Sequence, residues 1–216
     1  LISGEAGVGK TSLTATLEDA FIVYHDGKKY SLNQTPHTNV NQFDSTSEFI
    51  ALITEKIQAY NDKFGNYPST VVFDSVSRVF DTLYDACNRK YSGFAIYSNL
   101  DKEIKEFNEF IEDSLIASGI NVVIISHAVF NTDTNKYNLL AKGSFGKIGG
   151  FYSTVDEAMF LDTKANKRIV YFKSTKFPAR TLNSSLPESC SIEDFNLNDH
   201  INKLAEIADL TSSYEL

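Results

Sequence analysis

The stretch Gly4-Glu-Ala-Gly-Val-Gly-Lys-Thr11 leaves a chain few ways to fold. It has the spacing GxxxxGK[ST], it follows the apolar Leu1-Ile2, and it opens a helix-forming run expected to extend from Thr11 to Ala20. Its glycines let the backbone curl so that several N–H groups converge on one anion, and the start of the following helix adds its positive end. Lys10 reaches the β- and γ-phosphates, and Thr11 offers a hydroxyl to Mg²⁺. The binding stretch is therefore Gly4, Glu5, Ala6, Gly7, Val8, Gly9, Lys10, Thr11 and Ser12. Average composition would produce this pattern in a chain of this length about once in a hundred times, before the flanking strand and helix are required. A loop of this kind has to be fed by a strand and left by a helix, which makes the fold α/β.

The remaining periodicities agree. Phe21 to His25 reads as a short buried strand ended by Asp26-Gly27, and residues 28–44 read as irregular. A capping box, Ser45-x-x-Glu48, starts a helix with Phe49, Leu52, Ile53, Ile57 and Tyr60 on one face, stopping before Gly65. Thr70 to Phe73 is a second apolar strand, ended by Asp74 and followed by a helix with Val76, Val79, Phe80, Leu83 and Cys87 inward. Asn88 to Asn99 reads as a loop before a long helix carrying Ile104, Phe107, Ile111 and Leu115, closed by Gly119. Asn121 to Ile125 is the third apolar strand, ending in Ser126-His127. Continuous apolar strands separated by amphipathic helices require a mainly parallel sheet covered on both faces. Residues 128–154 read as a long loop, and Val155 to Leu161 with Arg168 to Ser174 as an antiparallel hairpin at the sheet edge. Leu197, Ile201, Leu204, Ile207 and Leu210 mark an acidic amphipathic helix expected to pack on the same domain.

With 216 residues, 42% hydrophobic and 22% charged, the chain suits one soluble domain spanning 1–216. No run approaches the roughly 18 apolar residues of a membrane span and no leader pattern precedes the loop, so a cytoplasmic protein is expected. Only Leu1-Ile2-Ser3 precede the loop, whereas a feeding strand usually has about five residues, so further residues are expected upstream. Cys87 and Cys190 stand apart with no partner at metal-ligand spacing, and both are expected to be reduced packing residues. The net charge of −8 is uneven, because between Thr134 and Pro187 there are nine basic residues against three acidic ones. That segment is a candidate polyanion-binding face.

A bound Mg²⁺–triphosphate needs a second carboxylate at a neighbouring strand end, and Asp74 is the candidate. Ser75 stands where AAA+ ATPases and many helicases carry glutamate, which argues against those groups. No Asn-Lys-x-Asp guanine signature and no Asp-x-x-Gly after a strand are present, which argues against GTPases and for ATP. RecA-type ATPases and small-molecule kinases are left. In a RecA-type core a carboxylate at the end of the next strand orients the attacking water, which here is Asp26, an aspartate where glutamate is usual, with Lys28 and Lys29 close behind. Glu48 is the fallback. His127, at the carboxyl end of a strand, is the candidate γ-phosphate sensor.

On these residues the chain resembles the RecA-core ATPases encoded by bacteriophages, in particular the Sak-type single-strand annealing proteins. The resemblance implies a single RecA-like domain that uses ATP and Mg²⁺, binds single-stranded DNA in the host cytoplasm, and works with a single-strand-binding protein in recombination. It further implies head-to-tail assembly, with Lys173, Lys176 and Arg180 in the region whose cation reaches a neighbour's γ-phosphate. The segment after His127 then matches the DNA-contacting loop: Lys142 and Lys147 seek phosphates, and Phe145, Phe151 and Tyr152 offer rings on which bases stack. Asn88 to Phe94 is a second DNA candidate. Two other readings stay open at this point, a P-loop kinase acting on a nucleotide or metabolite and a nucleotide-gated scaffold that does not hydrolyse.

Overall fold

A computed structural model describes residues 1–26 and 35–212. Lys28 and Lys29, named beside Asp26, lie outside the described residues. In chain order the elements are β1 (Ile2–Gly4), α1 (Lys10–Thr14), β2 (Ala20–Tyr24), β3 (His37–Asn39), α2 (Thr46–Phe64), β4 (Thr70–Asp74), α3 (Val76–Lys90) and α4 (Phe94–Glu109). There follow β5 (Asn121–Asn131), β6 (Lys136–Leu139), α5 (Gly143–Lys147), β7 (Met159–Lys164), β8 (Lys167–Tyr171), β9 (Ser189–Ser191) and α6 (Leu197–Ser212).

These strands form one sheet in the order β3-β2-β4-β5-β1-β7-β8-β9, with β6 on the far end of β5. The six strands from β3 to β7 run parallel, and β8, β9 and β6 join antiparallel. This is an α/β fold with a mainly parallel sheet. Its inner strands β2, β4 and the middle of β5 are apolar on both faces because both are covered. Phe21, Val23, Val71 and Phe73 point into a core shared with α2, α3 and α4, while Ala20, Ile22 and Val72 point to the opposite side, where Leu13 and Leu17 lie near Leu197 and Ile201. On the first side Phe49, Phe73, Phe80 and Phe107 form edge-on and tilted pairs 5.3–6.3 Å apart, the geometry that ring quadrupoles favour.

The strand order positions the site. Chain direction reverses its sideways travel at β1, whose outgoing connection crosses β5 and β4 to reach β2, and the crevice at such a point collects ligands. β5 lies between the loop strand β1 and the carboxylate strand β4, in register Gly4 with His127 and Asp74 with Ile125. His127 is thereby delivered between the glycine loop and Asp74.

Several boundaries differ from the sequence reading. α1 stops at Thr14, and Asp19 turns the chain in a left-handed conformation, accepting hydrogen bonds from Tyr60 Oη at 2.7 Å, Asn66 Nδ2 at 3.1 Å and Ser69 N at 3.2 Å. Ala20 is thus the first residue of β2, because strand pairing with Thr70 outweighs one more helical turn. Asn88 to Asn99 is mostly helical, with only the turn at Tyr91–Gly93 between α3 and α4. Residues 128–154 hold the end of β5, β6 and α5 rather than one loop, because the alternating residues of 128–139 close an antiparallel ladder. The capping box forms as expected, with Ser45 Oγ accepting from Glu48 N at 3.2 Å. Glu48 Oε2 itself accepts from Asp44 N at 2.7 Å, which commits this fallback carboxylate to a helix start.

Candidate nucleotide site

Gly4 occupies a backbone conformation with φ of 149°, and a Cβ there would lie 2.4 Å from the Leu161 carbonyl oxygen of β7, so only glycine lets the loop leave the sheet at this point. Gly9, with φ of 97°, is the N-cap of α1 and carries no side-chain cap, which leaves the first-turn N–H groups for an anion. The space they face is a cleft of ≈ 410 Å³, lined by Ala6, Gly7, Gly9, Lys10, Thr11, Ser12, Asp26, Asp74, Ser75, Arg78 and His127.

Within it the Lys10 ammonium is buried and donates to the carbonyls of Gly4 at 2.9 Å and Glu5 at 2.6 Å. Burial pushes its pKa down to about 8, against the pull of Asp74 and Glu5. Thr11 Oγ1 donates to Asp74 Oδ2. Burial raises the Asp74 carboxyl above its usual range; the Thr11 bond opposes this, Asp26 adds to it and Lys10 works against it. Two carboxylates that repel each other across a cleft invite a cation. His127 is lowered, first by burial and then by the charges of Lys10 and Arg78, so at neutral pH it is an uncharged imidazole. Its main-chain N–H donates to Ser77 Oγ at 3.2 Å, which fixes the end of β5 to the first turn of α3.

A magnesium ion accompanies ATP at such sites, and the residues present fit one. Thr11 and Asp74 supply a hydroxyl and a carboxylate oxygen already facing each other, the hard donors that Mg²⁺ takes. Among the described residues no group of three or more His, Cys, Asp or Glu side chains gathers as a metal site.

The sequence profile described as an AAA domain matches residues 1–181. The chain belongs to the AAA domain family. Compared with curated proteins, it matches none. As an AAA domain it is a nucleotide-binding ATPase domain, and the phosphate loop, the sheet and Asp74 all lie within the matched span. The expectation that Ser75 sets the chain apart from AAA ATPases is corrected here: one side chain was weighed against a pattern that runs over most of the chain. No helix among the described residues is long and apolar enough to cross a membrane.

The other expected site residues lie elsewhere in this domain. Phe145 and Phe151 are buried at 8% and 5% exposure in the aromatic core, Phe151 stacked on Phe80 with centroids 5.9 Å apart, which corrects the expectation that they stack on bases. Glycine-rich surroundings suggested mobility, but an aromatic ring gains far more from a closed core than an open loop offers. Lys142 pairs with Asp81 at 3.0 Å and lies over the Tyr84 ring, whereas Lys147 is exposed. In the second DNA candidate, Arg89 pairs with Asp44 and Lys90 Nζ donates to the Asp44 carbonyl at 2.6 Å. Lys176 lies over Phe130 and Phe177, and the Arg180 guanidinium donates to the Val155 carbonyl and covers the Tyr152 ring at 4.9 Å, so neither cation lines its own cleft. Lys173 Nζ donates to the carbonyls of Leu186 at 2.8 Å and Ser184 at 3.3 Å.

Two residues were missed. Arg78 lines the cleft from the first turn of α3, and its position four residues after Asp74 was the available signal. Tyr137 of β6 is the other: burial raises its phenol, and so do the negative charges of Glu5 in the phosphate loop and of Asp162. No local pattern announces that proximity. Tyr137 also lines a groove of ≈ 700 Å³ together with Lys136, Lys147, Tyr152 and Lys176.

Proposed function

We propose that this domain hydrolyses ATP with Mg²⁺ and couples the cycle to single-stranded DNA, as an annealing or recombination ATPase of the phage Sak type. The observation that carries the hydrolytic part is that Lys10, Thr11, Asp74, Asp26 and His127, drawn from four separate segments, line one cleft. Lys10 binds the β- and γ-phosphates, and Thr11 with Asp74 holds the magnesium, which supplies charge neutralisation on the triphosphate. Asp26 takes a proton from the attacking water, whose oxygen bonds to the γ-phosphorus. The bond from that phosphorus to the β–γ bridging oxygen breaks, and ADP leaves with the electron pair. Neutral His127 donates an N–H to a γ-phosphate oxygen and reports its loss.

The DNA part is supported by the groove of Lys136, Lys147 and Lys176, which alternates cations with Tyr137 and Tyr152 rings. This redraws the surface from the 142–152 segment to one that shares Lys147 and Tyr152 with it. Tyr137 connects groove and phosphate loop through Glu5. Head-to-tail assembly and a single-strand-binding protein as partner belong to the same proposal. ATP turnover measured with and without an oligonucleotide, across a salt series, tests it. Turnover rising with DNA and affinity falling steeply with salt are expected. Turnover indifferent to DNA removes the DNA part, and γ-phosphate transfer to a nucleotide acceptor instead of water replaces the reaction.

A further inference from the structure

Besides Lys10, Arg78 is the strongly basic side chain that lines the cleft among the described residues; the Arg168 guanidinium lies beside Gly9 and pairs with Glu193 at 3.7 Å. Arg78 sits in the first turn of α3, after Asp74 and Ser75, and its side chain is 60% exposed. We propose that Arg78 is a catalytic residue, a cation supplied by the chain's own α3 that engages the γ-phosphoryl group as it transfers. This rests on the ATPase reading above and is independent of DNA.

Charge favours such a residue in addition to the magnesium held by Thr11 and Asp74. Asp26 and Asp74 both line the cleft, and a triphosphate adds its own negative charge, while His127 is neutral. Lys10 is already held at the loop carbonyls of Gly4 and Glu5. A planar guanidinium matches the oxygens of a phosphoryl group in flight.

Arg78 is also free to move. Its pair with Asp81 is long, 3.5 Å, and both groups are largely exposed, so little holds it there. When it leaves, Asp81 keeps Lys142 at 3.0 Å, so no carboxylate is stranded. Arg180 stands in contrast, with its guanidinium against Val155 and Tyr152 and its Nε buried with no hydrogen-bond partner among the described residues. That geometry commits Arg180 to its own chain's packing. The lowering of His127 by the charge of Arg78 places that charge within electrostatic reach of the candidate γ-phosphate sensor.

The test compares Arg78→Ala, Arg78→Lys and Arg180→Ala in the full chain. For Arg78→Ala we expect kcat to fall about 10²- to 10³-fold while ADP affinity stays within about threefold, the pattern of a contact made only in the transition state. Arg78→Lys recovers part of the loss. Affinity for ADP with aluminium fluoride, a mimic of the transferring phosphoryl, is measured alongside and needs no turnover; Arg78→Ala abolishes its advantage over ADP alone. Mixing Arg78→Ala with Lys10→Ala restores nothing if Arg78 serves its own chain's nucleotide. Unchanged kcat, an equal gain from fluoride in the variant, or restored turnover on mixing each overturns the proposal. A wild-type chain that binds ADP but gains nothing from fluoride instead overturns the ATPase reading on which it rests.

Discussion

Residues 4–11 and residues 142–152 are both rich in glycine and both carry lysine, yet one stretch opens onto a cleft and the other closes a core. In the first, Val8 is the largest apolar residue and the glycines leave backbone donors facing space. In the second, Phe145 and Phe151 pack with Phe80 and Phe107, at centroid distances of 5.1–6.3 Å, and pull the chain down with them. Glycine supplies conformational freedom; its neighbours decide whether that freedom serves a ligand or a fold.

The largest effect that sharpens this contrast is expected at Lys10. Lys10→Ala lowers ATP turnover by roughly 10³-fold or more, as loss of a phosphate-clamping charge does, while thermal melting stays near that of the parent. A melt that collapses with the activity would mean that the first stretch is structural as well. Next comes Phe151→Ala, which costs about 3–5 kcal/mol of stability. Chemical denaturation measures it, and DNA affinity per folded molecule is expected to be unchanged. A folded variant that loses DNA affinity would return Phe151 to the surface reading.

The pH dependence of nucleotide binding separates the lysines themselves. Lys10 in the free cleft has a pKa of about 8, below its unfolded value of 10.5. Below pH 8 it is charged in both states and the burial penalty is fully present. Between about 8 and 10.5 the folded chain has lost the proton that the unfolded chain keeps, so this group's contribution to stability rises with pH. ATP requires the charged form, so affinity is expected to be flat to about pH 7.5 and to weaken about tenfold per unit above pH 8. Calorimetric titration at several pH values reads this, and a flat profile to pH 9.5 contradicts it.

Two glycines with nearly the same backbone give a smaller and cleaner comparison. Gly9 and Gly149 have φ of 97° and 99°, but a Cβ on Gly9 would lie 2.9 Å from Arg168 Nη1, whereas nothing lies within 4 Å at Gly149. Each alanine substitution costs about 1–2 kcal/mol from the left-handed backbone, and only Gly9→Ala is expected to weaken ATP binding. The smallest effect is at the groove. Lys147→Ala changes stability by less than about 0.5 kcal/mol and lowers the salt slope of DNA binding by about one, whereas Lys142→Ala, already paired with Asp81, leaves that slope alone.

The phosphate loop, and Asp74, Asp26 and His127 as polar residues at the ends of apolar strands, were legible because each is a local signal: a fixed spacing, or a change from apolar to polar. The parallel α/β class was legible for the same reason, since strands covered on both faces need unbroken apolar runs. The hairpin of β5 and β6 was missed because its alternation looked like irregular loop, and the burial of Phe145 and Phe151 because composition does not say which way a ring turns.

What the amino-acid order by itself determined is that this chain builds a triphosphate cradle at the start of a helix, since the required backbone angles and donors are encoded within eight residues. What only the tertiary structure decided is which distant groups share that cradle. The strand order inserts β5 between β1 and β4, which brings His127 between the loop and Asp74. The first turn of α3 turns Arg78 into the cleft, and β6 carries Tyr137 to Glu5. Contacts of that kind arise from packing the whole sheet at once, and no local spacing contains them.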